Sequence, residues 1–189
     1  MLDALIDTLP DYAKDLRLNF NSLVRQQTEL STQQKWGTLV ASALACRNAA
    51  FTAAVMAEAG QHISAQVIDA AKAAAAIMAM NNVYYRFQHL SSNEKYASLP
   101  ARLRMNVMRT HGADAMDFEL WALAVSAINA CGKCVSSHEQ VLRQKDITEE
   151  VILAAVRLAA VVHGVATVLD AVIAEQKALE LQSFEAAHG

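Results

Sequence analysis

Apolar residues recur along this chain with the period of an α-helix. In one predicted helix they fall at the i, i+3, i+4, i+7 and i+8 positions of a single face, namely Trp36, Leu39, Val40, Ala43 and Leu44. No alternation of apolar and polar residues, which would mark a half-buried strand, extends beyond a few positions. The pattern therefore predicts an all-α protein, with an amphipathic helix around residues 36–44.

Breaks in this periodicity predict where the helices are connected. Pro10 and Pro100 stand near the starts of segments, because proline cannot continue a helix. The most polar stretch, residues 91–95, and the stretch 111–114 have the composition of connecting loops. Thr148 precedes an apolar periodic run and is suited to capping the helix that follows it.

Two parts of the chain resemble each other. Trp36–Cys46 can be laid over Trp121–Cys131 without a gap, and the spacing from Trp to Cys is ten residues in both. Farther on, Ile63–Ile68 resembles Ile147–Ile152 after a slip of one residue. The similarity predicts one helical unit used twice, each copy burying its apolar face against the other. Chance similarity between Ala-rich helices is the alternative.

Size and composition agree with such an arrangement. Hydrophobic residues make up 54% of the chain and charged residues 19%, with only 6 Gly and 2 Pro, and this composition favours helix. We expect a single domain spanning residues 1–189, with the first copy at about 30–90 and the second at about 115–175. The net charge of -3 offers no basic field for a phosphate backbone, so we expect no nucleic-acid partner.

The chain carries no sequence typical of export or membrane insertion. Acidic residues, Asp3 and Asp7, stand where a signal peptide would carry Lys or Arg. The most apolar region, residues 151–174, is interrupted by Arg157 and Asp170 (and by a histidine), so it falls short of the ~18 uninterrupted apolar residues of a span. Three cysteines do not make a secreted disulfide framework. We expect a soluble cytoplasmic protein.

The candidate chemistry is concentrated in one short motif, a pair of thiols followed by an imidazole. Cys131 and Cys134 are separated by two residues, and His138 follows four residues later. One thiol of such a pair can attack a disulfide or peroxide, and the other can resolve the product. The first copy of the repeat keeps the structure without this chemistry, since Ala49 stands where Cys134 would fall and Ala53 where His138 would.

Local sequence predicts a reactive environment for these thiols. We expect a helix to restart near Cys131, with Asn129 as its cap and with the flexible backbone of Gly132 allowing the turn. A thiol in the first turn of a helix meets unpaired N–H groups and the positive helix end, and both favour thiolate. Lys133 adds a positive charge beside the pair.

Two further groups are suited to moving the thiol proton. His138 shares a helix face with Cys134, within reach of an imidazole that accepts or returns a proton. Glu119 belongs to the preceding helix, which we expect to begin near Asp117, and spacing alone cannot place it. Its natural role is to hold or charge His138, or to take a proton through water.

Other interpretations of the motif remain open. Cys131, Cys134 and His138 could bind zinc, although a structural zinc site usually has a second pair of ligands, and the sequence has none. Cys46 is better explained as a small buried hydrophobe than as a third redox thiol. The remaining histidines are expected to be solvated or packed, although the one beside Gly164 could line a pocket; they are His62, His89, His111, His163 and His188.

The ordered set of Glu119, Cys131, Cys134 and His138, together with the repeat and the chain length, resembles the AhpD-like alkylhydroperoxidases. These proteins share an all-helical fold built from a pseudo-duplicated unit, and they usually assemble as trimers. The resemblance spans most of this chain. It implies an AhpD-like helical fold and a homotrimer here, within the carboxymuconolactone decarboxylase-like superfamily.

The resemblance also implies an activity. Members reduce alkyl hydroperoxides and regenerate a partner peroxiredoxin, AhpC, with electrons from a protein-bound dihydrolipoamide. A lipoyl-carrying acyltransferase holds that group, and dihydrolipoamide dehydrogenase keeps it reduced. Carried over, Cys134 attacks the peroxide and becomes a sulfenic acid, and Cys131 resolves it to a disulfide and forms the mixed disulfide with the peroxiredoxin. Glu119 and His138 relay the proton.

Lys133 departs from part of the family. Some members carry a His between the two cysteines, so any relay role of that His is absent here. The sequence contains no haem, flavin or nicotinamide fingerprint, and we expect no cofactor or metal beyond the thiols. Two alternatives remain: a non-redox helical assembly protein with an inert or zinc-binding CxxC, and a lactone decarboxylase-like enzyme, which has no need of paired cysteines.

Overall fold

The computed structural model describes residues 1–188, and within that range the chain contains helices and no strand. The prediction of an all-α fold is confirmed. In chain order the elements are α1 (Leu2–Asp7), a short 3-10 helix (Asp11–Ala13), α2 (Lys14–Arg25), α3 (Thr32–Cys46), α4 (Ala49–Ala59), α5 (Ala65–Leu90), α6 (Lys95–Ser98), α7 (Val107–Thr110), α8 (Ala115–Ile128), α9 (Gly132–Arg143) and α10 (Glu149–His188).

Helix α3 lies at the centre of the molecule. It packs against α8, α10, α5 and α4, and every residue from Trp36 to Ala43 is buried. The prediction of a helix around residues 36–44 is therefore confirmed within the longer helix Thr32–Cys46, but the expected division into an apolar and a polar face is wrong for its buried part. Helices surround α3 on several sides, so its small polar positions, Thr38 and Ser42, are enclosed along with the apolar stripe.

The close approach of α3 to α8 depends on a glycine. A Cβ added to Gly37 would overlap the indole ring of Trp121, which is fully buried and donates from Nε1 to the carbonyl of Gln34 at 3.3 Å. Because the ring is enclosed on all sides, it has no free volume into which to move. Glycine at this position lets the two central helices pack at short distance.

We expect Gly37→Ala to lower the free energy of unfolding by about 2 to 3 kcal/mol, since overpacking in a closed core forces side chains or backbone to shift. Gly60→Ala is the matched control. Gly60 has helical backbone angles, and an added Cβ would be 3.6 Å from its nearest neighbour, so little change is expected. Denaturant unfolding of both variants measures the difference; equal stability would show that the Trp121 ring can move aside.

Two predicted helix starts agree with the structure to within two residues, whereas no helix begins near Pro100, because α6 ends at Ser98 and α7 begins at Val107. Thr148 precedes α10, and its hydroxyl lies 3.5 Å from the backbone nitrogen of Val151, as a cap requires. The helix expected to begin near Asp117 begins at Ala115 instead. Asp114, at the end of the predicted connector, caps it by accepting from the N–H groups of residues 116 and 117.

Helix α10 is the only helix within residues 1–188 that is long and apolar enough to cross a membrane, a test that core helices also pass. Of its most apolar window, 56% is buried inside the protein. The polar residues that interrupt this helix, Arg157, His163 and Asp170, all lie on its exposed side. This is the arrangement of a helix that covers a core.

The two tryptophans of the sequence repeat lie on neighbouring helices. Trp36 begins the buried part of α3, and Trp121 lies in the middle of α8, which packs directly against α3. Duplication of the whole unit within one domain stays a prediction.

Candidate dithiol site

The connection between α8 and α9 presents the two cysteines. Asn129 ends α8, Ala130 takes a left-handed conformation with φ 53°, and Cys131 caps α9. The Cys131 sulfur accepts from the N–H of Cys134 at 3.4 Å, so this sulfur takes the place of the expected side-chain cap.

Two local predictions are therefore corrected. Asn129 does not cap α9, because its side chain is directed to α5, where it donates to Asn82 Oδ1 at 2.9 Å. Gly132 does not supply the unusual backbone angle, since the left-handed residue of the loop is Ala130, two residues earlier.

Cys131 and Cys134 are joined by a disulfide, with their Cα atoms 5.3 Å apart. The two sulfurs differ in access. Cys131 has no exposed surface, whereas Cys134 is 5% exposed and lines a cavity of about 310 Å³. In this state only Cys134 can be approached from the cavity.

The side chains of His138 and Glu119 are paired through a short contact near the disulfide. The imidazole Nδ1 lies 2.6 Å from Glu119 Oε2, and Nε2 lies 3.3 Å from the Met78 sulfur. His138 is buried and lines the same cavity as Cys134. The packing of α8 against α9 thus brings together the imidazole and the carboxylate that spacing could not place.

A buried polar network fixes the loop that carries the cysteines. Asn82 on α5 donates to Ser126 Oγ at 2.9 Å and accepts from Asn129 at the same distance. Arg86, one turn farther along α5, donates to the Asn129 carbonyl at 2.6 Å. Because each of these polar groups has a partner, the network holds the end of α8 firmly against α5.

Lys133 lies at the rim of the cavity. Its ammonium is 3.3 Å from Gln88 Oε1 and 5.4 Å from the centre of the Tyr85 ring, so it is directed towards α5. The expected electrostatic effect of this charge on the thiols stays a prediction.

Cys46 lies apart from the disulfide, at the end of α3. It is a free, half-buried thiol whose sulfur is 3.6 Å from His163 Nδ1. Burial raises its pKa to about 11, and the negative charge of Asp170 acts in the same direction. This environment keeps the thiol protonated and unreactive at neutral pH.

The other histidines are mostly packed or exposed. His62 stacks on Trp36 and His111 on Phe118, with ring centres 4.3 Å and 4.0 Å apart. Burial lowers the pKa of His111. His89 is exposed, and the side chain of His188 lies outside the described part of the chain.

No group of three His, Cys, Asp or Glu side chains within residues 1–188 is arranged to hold a metal ion. In particular, the two sulfurs of the site are bonded to each other, and both ring nitrogens of His138 already have contacts.

Sequence reasoning missed the residues that α5, α7 and the connection before α7 contribute to the cavity. These are Met78, Asn81, Tyr85, Met105 and Met108. A signal was present in the adjacent amides Asn81 and Asn82, which interrupt an otherwise apolar helix and are both buried.

Comparison with known proteins gives a consistent family. Residues 94–176 match the family described as the carboxymuconolactone decarboxylase family. The chain is 63% identical over 170 residues to the alkyl hydroperoxide reductase AhpD of Acidobacterium capsulatum, covering 90% of this chain and 93% of that protein. It is 58% identical to AhpD of Koribacter versatilis, covering 90% and 88%, and 56% identical to AhpD of Solibacter usitatus, covering 89% and 95%.

Proposed function

The chain belongs to the AhpD branch of the carboxymuconolactone decarboxylase family, and on that premise we propose that it is an alkyl hydroperoxide reductase that works through the Cys131–Cys134 dithiol. One observation carries the proposal: the disulfide presents Cys134 to a cavity that it shares with the Glu119-paired His138. A nucleophilic sulfur, a resolving sulfur and a proton-transfer pair are the groups that peroxide reduction requires.

The oxidative half-reaction begins at Cys134. Its thiolate attacks the terminal oxygen of the hydroperoxide, the O–O bond breaks, and the alkoxide leaves as the alcohol after taking up one proton. Cys134 is then a sulfenic acid, oxidised by two electrons. The Cys131 thiol displaces the sulfenic oxygen as water, and the disulfide forms. The short separation of the two cysteines in the chain supports rapid closure.

His138 and Glu119 manage the protons of this sequence. In the reduced protein the imidazole accepts the Cys134 proton and returns it to the leaving alkoxide, and the carboxylate stabilises the imidazolium between these events. The 2.6 Å contact between the two side chains supports this role, since a carboxylate so close fixes the orientation of the ring. In the disulfide state the thioether sulfur of Met78 contacts the other ring nitrogen, Nε2, at 3.3 Å.

Dihydrolipoamide restores the dithiol. One of its thiolates attacks the disulfide, the mixed disulfide is resolved by its second thiol, and lipoamide and two cysteine thiols are the products. We propose that the first attack falls on Cys134, because Cys131 has no exposed surface in the disulfide state. We keep Cys131 as the thiol that forms the mixed disulfide with the peroxiredoxin AhpC. Because Cys131 is covered in the disulfide state, the first turn of α9 must open in the reduced protein before this thiol can reach a partner.

We propose for this reaction the setting that the family resemblance implies. A lipoyl-carrying acyltransferase presents the dihydrolipoamide, and dihydrolipoamide dehydrogenase reduces it again. We propose that the protein acts in the cytoplasm as a homotrimer and needs no other cofactor.

Thiol mapping by mass spectrometry tests the function directly. Reduced protein is treated with cumene hydroperoxide, digested, and compared with a sample returned to dihydrolipoamide. The peptides holding Cys131 and Cys134 should together lose two hydrogens and regain them. If hydroperoxide leaves these thiols unchanged, the protein is not a dithiol peroxidase.

Cys46 should take no part in this chemistry. Since its pKa is about 11 rather than the ordinary 9.0, its thiolate fraction at neutral pH is about 100-fold smaller than that of an unperturbed thiol. We expect Cys46→Ser to leave turnover within about twofold of the wild type, and Cys46 to alkylate slowly at pH 7 and faster as the pH approaches 11. A large loss of turnover in this variant would contradict the assignment.

A further inference from the structure

The segment formed by residues 83–109 has a net charge opposite to that of the whole chain. It contains five Arg or Lys residues and one Glu, a net charge of +4 in a chain whose net charge is -3. Arg86 donates to the carbonyl of Asn129. The other four cations are exposed and have no ion-pair partner within residues 1–188; they are Lys95, Arg102, Arg104 and Arg109. A cluster of unpaired cations attracts an acidic partner.

The same segment exposes large apolar side chains. They are between 38% and 75% exposed and comprise Val83, Phe87, Leu90, Tyr96 and Leu99. The ring centres of Phe87 and Tyr96 lie 5.1 Å apart and connect the end of α5 to α6. Exposed aromatic side chains together with arginines are typical of protein interfaces. We call residues 83–109 the basic surface.

The basic surface adjoins the cavity that contains Cys134. Met105 and Met108 line this cavity, and each has an arginine beside it in the chain, Arg104 and Arg109. An open groove of about 990 Å³ lies between the end of α5, α6 and the start of α9. Lys133 borders both the groove and the cavity. A protein bound to the basic surface would therefore lie next to the access to Cys134.

The size of the cavity limits which part of a reductant can reach the disulfide. Cys134 is 5% exposed, at a cavity of about 310 Å³, which admits a small molecule and no protein domain. Dihydrolipoamide meets this limit, because its dithiol lies at the end of a long arm while the domain that carries the arm stays outside. The arm is uncharged. The cations of the basic surface would therefore act on the carrying domain.

Two other occupants agree less well with the structure. The peroxiredoxin AhpC is proposed to react at Cys131, which has no exposed surface in the disulfide state, whereas the basic surface borders the access to Cys134. A second copy of this chain, bound permanently, would obstruct that access beside Lys133 and exclude the reductant. A carrying domain that binds and leaves again has neither difficulty.

We infer that the basic surface is the docking site for the lipoyl-carrying domain, whose acidic face binds the four exposed cations while its arm enters the cavity and reaches Cys134. The inference rests on the proposed reductase function and adds the surface that recognises the protein partner. The exposed rings of Phe87 and Tyr96 supply the apolar centre of the contact, and the cations supply attraction over a longer range.

The rate of disulfide reduction, measured with and without the carrying domain, tests the inference. Oxidised protein is mixed with free dihydrolipoamide or with an isolated, reduced lipoyl domain of net negative charge, and the thiols formed are alkylated and counted by mass spectrometry. With the domain, the second-order rate constant should fall about 5- to 10-fold as the ionic strength rises from about 20 mM to about 300 mM, because salt screens exposed charges. With free dihydrolipoamide it should change less than about twofold.

Charge reversal locates the contact. In Lys95→Glu and in Arg104→Glu the rate constant with the lipoyl domain should fall about 3- to 10-fold, since charges at the edge of an interface chiefly change the association rate. The rate constant with free dihydrolipoamide should stay within about twofold, which also shows that the site is intact. Lys14→Glu, the same change at an exposed lysine of α2, is the matched control and should leave both rates nearly constant.

A second pair of variants tests the apolar centre. Phe87→Ala should slow reduction by the lipoyl domain about 5- to 20-fold, as expected for an aromatic side chain at the centre of an interface. Leu18→Ala is its control, because Leu18 on α2 is also 54% exposed and lies outside the basic surface. Reduction by free dihydrolipoamide should be nearly constant in both variants.

The outcomes separate this inference from the function on which it rests. If free dihydrolipoamide reduces every variant and the lipoyl domain reduces them all as fast as the wild type, the basic surface does not dock the domain, and the reductase function stands. The inference is also overturned if the variants slow only the reduction of oxidised AhpC, or if light scattering shows that they change the number of associated copies. If dihydrolipoamide fails to reduce the wild-type disulfide, the proposed function itself fails.

Discussion

Replacing Cys134 by Ser should abolish hydroperoxide reduction driven by dihydrolipoamide, with a fall in turnover of about 10³-fold or more. A serine hydroxyl stays protonated at neutral pH, is a poor nucleophile towards an O–O bond, and cannot form a sulfenic acid or a disulfide. Cys134 is also the sulfur that borders the cavity, so no other thiol of the site can replace it there. Turnover is measured with dihydrolipoamide, its dehydrogenase and cumene hydroperoxide.

Cys131→Ser is the matched variant, because it removes the other sulfur of the same disulfide. It should also stop turnover, but its reduced form should still consume one equivalent of hydroperoxide. The product is a Cys134 sulfenic acid, detected as a gain of one oxygen and trapped by dimedone. Full activity of the Cys134→Ser variant, or sulfenic acid on Cys131 in that variant, would reverse the assignment of the attacking thiol.

Removing the imidazole of the site should give the second largest effect. In His138→Gln we expect the rate constant for oxidation of the dithiol by hydroperoxide to fall about 10²- to 10³-fold, the usual contribution of a positioned acid–base group. Gln keeps a polar side chain of similar size but cannot exchange a proton near neutral pH. The rate is followed as thiol loss.

The carboxylate partner should act through the imidazole. Glu119→Gln keeps a hydrogen-bond acceptor for the ring but removes the negative charge, so a smaller fall, about 10- to 100-fold, is expected. The double variant should be no slower than His138→Gln alone, since residues that act as a unit are not additive. His89→Gln, the same change at an exposed histidine of α5, serves as control. Additive losses would show that Glu119 and His138 act independently.

The sequence determined the parts of the molecule that depend on local spacing. The helical period predicted the all-α fold, and polar residues at helix starts predicted the cap of α10 at Thr148. The four-residue interval between Cys134 and His138 predicted a shared surface, and both residues border one cavity. Such inferences succeed because positions within one helix turn have fixed separations.

Local rules failed where the environment of a helix matters more than its pattern. The pattern of residues 36–44 indicated one apolar face, but α3 is enclosed by four other helices and is buried throughout its centre. Likewise, Asn129 was expected to cap α9 and instead bonds α5, because a neighbouring buried amide, Asn82, requires a partner.

The tertiary structure alone decided the composition of the site. Glu119 reaches His138 from another helix, and Asn81 reaches Cys134 across more than fifty residues of intervening chain. It also decided which sulfur meets the cavity, since Cys131 is covered and Cys134 is not. Distances between groups on different helices depend on where those helices cross, and the crossing is set by the packing of all their buried side chains together. No spacing along the chain contains that information.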